Sequence, residues 1–390
     1  MRYSKRLSWP VHLNALATRV HAARQNGSYF LDLTCSNPTE VFEDYPHAAI
    51  ADALRNIRSF RYEPDPLGTQ EARTAIQQYY GHRGIQISPE RLLFTASTSE
   101  AYALLFKLLC DPDDEILVPA PSYPLFEYLA NLESVRVSHY QLQFDGMWFF
   151  DFGSIERSIT PRTRAIVVVN PNNPTGSFLK QAEFDRLLGL VRERNLPIIS
   201  DEVFLDYARQ PNAMRVRTFV EQSEVVSFSL NGLSKSAGMP QMKLGWVVIG
   251  GPEDGAREAR ERLALIADTY LSVATPVQAA LPMLLEIGAD IRHAIQERIE
   301  VNWGMLERTL SDGPAHALRC EGGWSAIVRL PATETEESWI LRLWEECGIL
   351  VQPGYFFDMA AEPYFVVSLI SVPGEFEKGI SRVHQIAMRA

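Results

Sequence analysis

The chain has 390 residues, 46% hydrophobic and 22% charged, the balance of a soluble globular protein long enough for two or three domains. Its formal net charge of −11 and pI near 5.3 exclude a sequence-independent nucleic-acid binder and leave no polybasic handle for an anionic membrane. No apolar run approaches the ~18 residues of a membrane span, and the N-terminus has charge without an apolar core, so it does not read as a secretory signal. Cys35, Cys110, Cys320 and Cys347 form no Cys-x-x-Cys pair and the histidines are scattered, which predicts buried thiols in a reducing cytoplasm and no metal centre.

An N-terminal arm opens with a helix over 11–24, ended by Asn26-Gly27, and a short strand over 30–34 runs into the turn Ser36-Asn37-Pro38-Thr39. Helices follow over 46–56 and 69–80, separated by the proline-rich segment 61–68. A strand over 91–95 meets Ala96-Ser-Thr-Ser-Glu100 and a helix over 101–110. Small hydroxyl residues at such a junction put free N–H groups at a helix start, a ready anion site, although an ordinary cap with Glu100 in the first turn explains them as well.

Strands over 116–118 and 135–140 flank a helix over 125–132, and a helix over 151–159 precedes the unbroken apolar run 165–169, as expected for a strand buried on both faces. That run ends in Asn170-Pro-Asn-Asn-Pro-Thr-Gly176. After a helix over 182–194, the strand 196–200 ends in Asp201-Glu202. Alternating strands and helices from about 91 to 250 predict a doubly wound, mostly parallel sheet, with ligands beyond the strand C-termini, where Ser97, Tyr123, Asn173 and Asp201 lie. Strands over 225–228 and 244–249 bracket Ser229-Leu-Asn-Gly-Leu-Ser-Lys235-Ser-Ala-Gly-Met-Pro-Gln-Met-Lys243. A lysine among small residues between strand ends is placed to reach a pocket, and lysine forms Schiff bases with aldehyde cofactors. Helices are expected over 254–267, from 276 to about 287 and, separately, over 291–310. The remainder reads as a second α+β domain.

With these loops in order, the chain resembles the class I/II aminotransferases, pyridoxal-5′-phosphate enzymes of the aspartate aminotransferase fold (fold type I), over essentially its whole length. Asn173-Pro-Thr-Gly, Ser-Asp201-Glu and Ser234-Lys235, with a cation eight residues later and then Gly245, carry the resemblance. It implies an α/β large domain with a mostly parallel seven-stranded sheet flanked by helices (45–285), and a smaller α+β domain from the arm (1–44) and the C-terminal segment (286–390). It also implies a homodimer acting on small-molecule amino donors and keto acceptors by ping-pong transfer through the pyridoxal and pyridoxamine forms of the cofactor. Lys235 would carry the Schiff base and act as base beside the substrate Cα, and Asp201 would pair with the pyridine nitrogen. Asn173 would donate to the ring 3′-oxygen and Tyr123 would stack on the ring. Thr98, Ser99, Ser234 and Lys243 would bind the phosphate, and Tyr62 would reach the phosphate of the neighbouring subunit.

Four positions depart from the family pattern. Lys243 stands where arginine is usual, keeping charge but losing the bidentate fork. Gly232 replaces a phosphate-binding serine. Phe204 replaces a tyrosine that donates to the 3′-oxygen, which implies a higher pKa for the Schiff base. Val366, in Tyr364-Phe-Val-Val-Ser368, replaces the arginine that grips the substrate α-carboxylate. Either another cation takes the carboxylate, for example Arg329 or a residue of the arm, or the substrate lacks one. A lyase or decarboxylase on the same scaffold, and a cofactor-binding regulatory domain, are the competing readings.

Overall fold

In the computed structural model, which describes residues 3–7, 9, 14–55, 62–360 and 363–390, the apolar run after Arg164 lies at the middle of the main sheet. In chain order the strands are β1 (Leu31–Asp32), β2 (Leu92–Thr95), β3 (Glu115–Ala120), β4 (Arg136–Phe144), β5 (Trp148–Phe150), β6 (Thr163–Val169), β7 (Ile198–Asp201), β8 (Ser227–Gly232), β9 (Gly245–Gly250), β10 (His316–Ala317), β11 (Ser325–Arg329), β12 (Ile349–Leu350), β13 (Gln352–Pro353) and β14 (Tyr364–Ser368). The main sheet has eight strands in the order β2-β9-β8-β7-β6-β3-β4-β5. Its centre is parallel from β8 through β4, while β9 and β5 run against their neighbours. The α/β expectation holds, with one strand more than the expected seven: β5 folds back on β4 after the Asp145-Gly146 turn.

Alternation explains why β6 reads as wholly apolar. Ile166 and Val168 face a cluster with Leu187, Val191 and Phe219, whereas Ala165, Val167 and Val169 face another with Leu105, Phe228 and Leu263. Helices therefore cover both faces: Gln181–Arg194 on one side, Thr98–Leu109 and Glu253–Asp268 on the other.

The C-terminal segment builds the antiparallel sheet β10-β11-β14-β13, and β1 of the arm pairs with β12 through Leu31↔Ile349. The arm helix spans Ala15–Gln25, capped by Asn14. Its expected start at 11–13, and the end of the helix expected over 46–56, lie outside the described residues; the latter helix is observed as His47–Ala53.

One expectation is overturned. The two helices expected over 276–287 and 291–310 are a single 36-residue helix, Thr275–Leu310, running through Pro282. Gly288 is no stop signal. A Cβ there would lie 2.4 Å from Cβ of Ala237, so the glycine lets the helix press against the loop that follows Lys235.

Candidate active site

Five strand C-termini lie along one edge of the sheet, and each delivers at least one predicted residue. At the end of β7, Asp201 is held by two donors, Val203 N–H to Oδ1 at 3.2 Å and Tyr102 Oη to Oδ2 at 3.0 Å. Burial raises its pKa to about 6, against the lowering effects of these two donors and of Lys235.

Lys235 sits in the short helix Leu233–Ser236 directly after β8. Burial lowers its pKa to about 8, with the Asp201 charge opposing. Its ammonium lies 4.3 Å from the centroid of Trp324 and 5.4 Å from that of Phe204, so aromatic faces form one wall. The loop is fixed from outside. Tyr207 Oη donates to the Lys235 carbonyl at 2.6 Å, Arg292 to the Ser236 carbonyl at 2.7 Å and Tyr45 Oη to the Gly238 carbonyl at 2.9 Å.

After β6, three asparagines divide the work. Asn170 and Asn172 hold the loop itself, through Leu179 N–H to Asn170 Oδ1 at 3.0 Å and Thr175 Oγ1 to Asn172 Oδ1 at 2.9 Å. Asn173 instead accepts from Ser325 Oγ of β11 at 3.2 Å, leaving its amide N–H₂ unspent. Tyr123, beyond β3, is 47% exposed. Its pKa is raised by burial and then by the Asp201 charge, which puts it within electrostatic reach of that carboxylate.

At the end of β2 the cap reading of the junction is realised. Ser97 caps the helix by accepting from Glu100 N–H at 3.2 Å, and Glu100 accepts from Ala96 N–H at 2.6 Å and from the Ser272 hydroxyl. The hydroxyls of Thr98, Ser99 and Ser234 make no hydrogen bond, and Lys243 no ion pair, among the described residues. The strands bring this helix start beside the lysine loop, because Gly245 pairs with both Thr95 and Gly232. A Cβ on Gly245 would lie 3.2 Å from both the Ser97 carbonyl carbon and the Asn231 oxygen, and one on Gly232 would lie 3.0 Å from the Gly245 Cα. Gly232 therefore marks a close strand approach that a serine would have to push apart. Lys243 is exposed in a left-handed conformation with φ 50°.

Tyr62 is not brought to Lys235 within this chain. It is 78% exposed and lines a separate cleft of about 210 Å³ with Glu100 and Ser272.

Val366 is 1% exposed and belongs to one apolar cluster with Ile327, Leu318 and Phe357. Among the described residues, neither Arg329 nor the arginines of the arm helix stands at this strand pair. Arg329 is exposed at the end of β11 opposite Tyr364, four residues along the strand from Ser325, roughly 13 Å. In the arm, Arg19 pairs with Glu345 and Arg24 with Asp32. What the strand carries toward Asn173 is hydroxyl: Ser325 stands opposite Ser368, whose Oγ accepts from Ser36 Oγ at 3.3 Å. Trp324, Ser325, Tyr102 and Tyr207 were not singled out from the sequence; the Gly322-Gly323-Trp324-Ser325 entry into β11 was the available signal.

Residues 31–370 match the family described as aminotransferase class I and II. The chain belongs to the class I and II aminotransferases. Glutamate-pyruvate aminotransferase AlaA of Escherichia coli (strain K12) is 32% identical over 262 residues, covering 67% of this chain and 64% of that protein. The protein of the same name from Haemophilus influenzae is 30% identical over 388 residues, covering 96% of this chain and 93% of that protein. Among solved structures, alanine aminotransferase from Pyrococcus furiosus superposes with a TM-score of 0.88 at 26% identity, covering 100% of both chains. The family and the α/β architecture implied by the three strand-end motifs are thus both found. In this chain Lys235, Asp201 and Asn173 lie at or just past the ends of β8, β7 and β6.

Proposed function

We propose that this aminotransferase holds pyridoxal 5′-phosphate at Lys235 and moves an amino group from an amino acid to a keto acid by a ping-pong mechanism. The observation that carries this reading is a lysine and a carboxylate at the ends of paired strands, close enough to act on each other's charge, with pKa lowered to about 8 and raised to about 6 respectively. The residues fit the cofactor. Thr98, Ser99, Ser234 and Lys243 carry unspent donors for a phosphate, the Asn173 amide suits the ring oxygen, Asp201 the ring nitrogen, and Tyr123 the ring face.

When bound, the cofactor supplies an electron sink for the bond broken at the substrate Cα. Asp201, ionised above about pH 6 and fixed by Val203 and Tyr102, keeps a proton on its partner nitrogen. Lys235 Nζ is neutral in a useful fraction near pH 8, so it can take a proton from carbon and return it. The aromatic wall of Phe204 and Trp324 keeps water from this amine.

The names of the relatives, glutamate-pyruvate and alanine aminotransferases, favour amino-acid donors over an amine without a carboxylate and over a lyase or decarboxylase. The exposed Tyr62 supports a homodimer in which it completes the partner's site. A division at 44 and 285, the second cut falling inside the helix Thr275–Leu310, and a cytoplasmic location complete the reading.

The test is a donor screen on the loaded protein, followed by absorbance. Glutamate and alanine are expected to convert the cofactor to its aminated form without release of ammonia, and Lys235→Ala to abolish this. Ammonia release, or conversion by amines alone, overturns the reading.

A further inference from the structure

The segment after β7 walls a second cleft of about 770 Å³, away from the lysine loop. Arg83, Arg209, Arg215 and Arg217 line it. Each Arg83 nitrogen has a partner: Nε and Nη2 donate to Asp206 Oδ1 at 2.9 and 2.7 Å, and Nη1 to the Tyr79 carbonyl at 2.8 Å.

The other three differ. Arg209 binds both oxygens of Glu300 through Nε and Nη2 at 2.9 and 3.1 Å, leaving Nη1. Arg215 uses Nε on Glu321 at 3.0 Å and Nη1 on the Gln210 carbonyl at 2.6 Å, leaving Nη2. Arg217 is exposed and has no hydrogen-bond or carboxylate partner among the described residues.

Charge is also out of balance. Asp206 lies 3.9 Å from Arg292 as well as pairing with Arg83, and Glu321 binds Lys180 at 2.5 Å besides Arg215. With Arg209 on Glu300, five cations share three carboxylates and Arg217 has none, while the cleft's own lining holds Arg83, Arg209, Arg215 and Arg217 against Asp206. This excess sits in a chain of net charge −11. A concave lining of mostly one sign focuses its field, and guanidinium forks match phosphate oxygens. Between the forks the wall is apolar, with Phe178, Leu205 and Val216, and the Arg215 guanidinium lies 5.0 Å from the Phe178 ring.

We propose that this cleft is a binding site for a small molecule bearing a diphosphate group, held by the unspent donors of Arg209, Arg215 and Arg217. A single phosphate can engage one fork. Two linked phosphates can bridge Arg217 to the anchored pair and meet the excess charge. The site is tied to the catalytic loop. Arg209 N–H donates to the Glu321 carbonyl at 3.0 Å, Gly323 N–H donates to the Tyr207 carbonyl at 3.0 Å, and Tyr207 Oη holds the Lys235 carbonyl.

The cofactor-loaded protein is titrated calorimetrically with inorganic pyrophosphate, orthophosphate, adenosine diphosphate and adenosine. Pyrophosphate is expected to bind with Kd below ~1 mM and at least ~10-fold more tightly than orthophosphate. Arg217→Glu is expected to weaken it at least ~10-fold with unchanged amino-group transfer in the absence of pyrophosphate, and Arg217→Lys to fall between. Tighter binding of adenosine diphosphate, with none of adenosine, assigns the diphosphate to a nucleotide; equal binding assigns it to the free anion. Absence of saturable pyrophosphate binding, or undiminished binding by Arg217→Glu, overturns the proposal.

Discussion

The two walls of the catalytic pocket are built on different physics. On the large-sheet side, Asp201 and Lys235 are charged groups withheld from water, with pKa values moved to about 6 and about 8. On the β11–β14 side, the chain presents Ser325 and Ser368 beside the apolar Ile327 and Val366. On the proposed reading, the difference separates cofactor chemistry from substrate grip. The first needs perturbed ionisation, whereas the second can rest on neutral donors, whose discrimination comes from shape and hydrogen bonds rather than from a paired charge.

Removing the perturbed carboxylate should have the largest effect. Asp201→Asn is expected to lower kcat by on the order of 10³, measured by steady-state transfer at saturating cofactor; a loss below tenfold would make the two walls equivalent. On the opposite wall, Ser325→Ala removes the donor to the Asn173 Oδ1 and should cost about tenfold in kcat/KM, with cofactor retention unchanged.

The pH dependence of cofactor attachment to the apo-protein is a third test. The reacting amine must be neutral, and its pKa is lowered to about 8, so the attachment rate should rise with pH and level off above about 8. A rise continuing toward the ordinary lysine range of about 10.4 would show that burial does not act on Lys235. The smallest change is expected from Phe204→Tyr. A phenol there would stabilise the ring oxygen's anion and lower the pH of the loaded protein's absorbance transition by about one unit. A shift upward, or none, would remove Phe204 from the list of tuning residues.

The residues most legible in the sequence were those at strand ends. Apolar runs such as 165–169 and 196–200 stop abruptly at Asn170 and Asp201, and that change of chemistry marks both the fold and the pocket. The second wall was not legible, because Trp324 and Ser325 acquire meaning only when β11 docks against Asn173, a contact 152 residues apart in the chain. The long helix was misread for a related reason. The expected break fell at Gly288, where tertiary packing keeps the helix going because the glycine fits against Ala237. Likewise β5, only three residues long, was too short to announce itself.

That helix has a mechanical consequence. Its 36 residues make a rod of about 54 Å, and one stretch of it touches the reactive loop twice, by Gly288 against Ala237 and by Arg292 on the Ser236 carbonyl. Farther along, Asn302 holds the carbonyls of Leu369 and Ser371, just past β14. The rod is thus a shared beam, one helix whose contacts reach both the backbone of the lysine loop and the carbonyls just past β14. Any split or graft of this chain within the helix would cut that mechanical link even if both pieces folded.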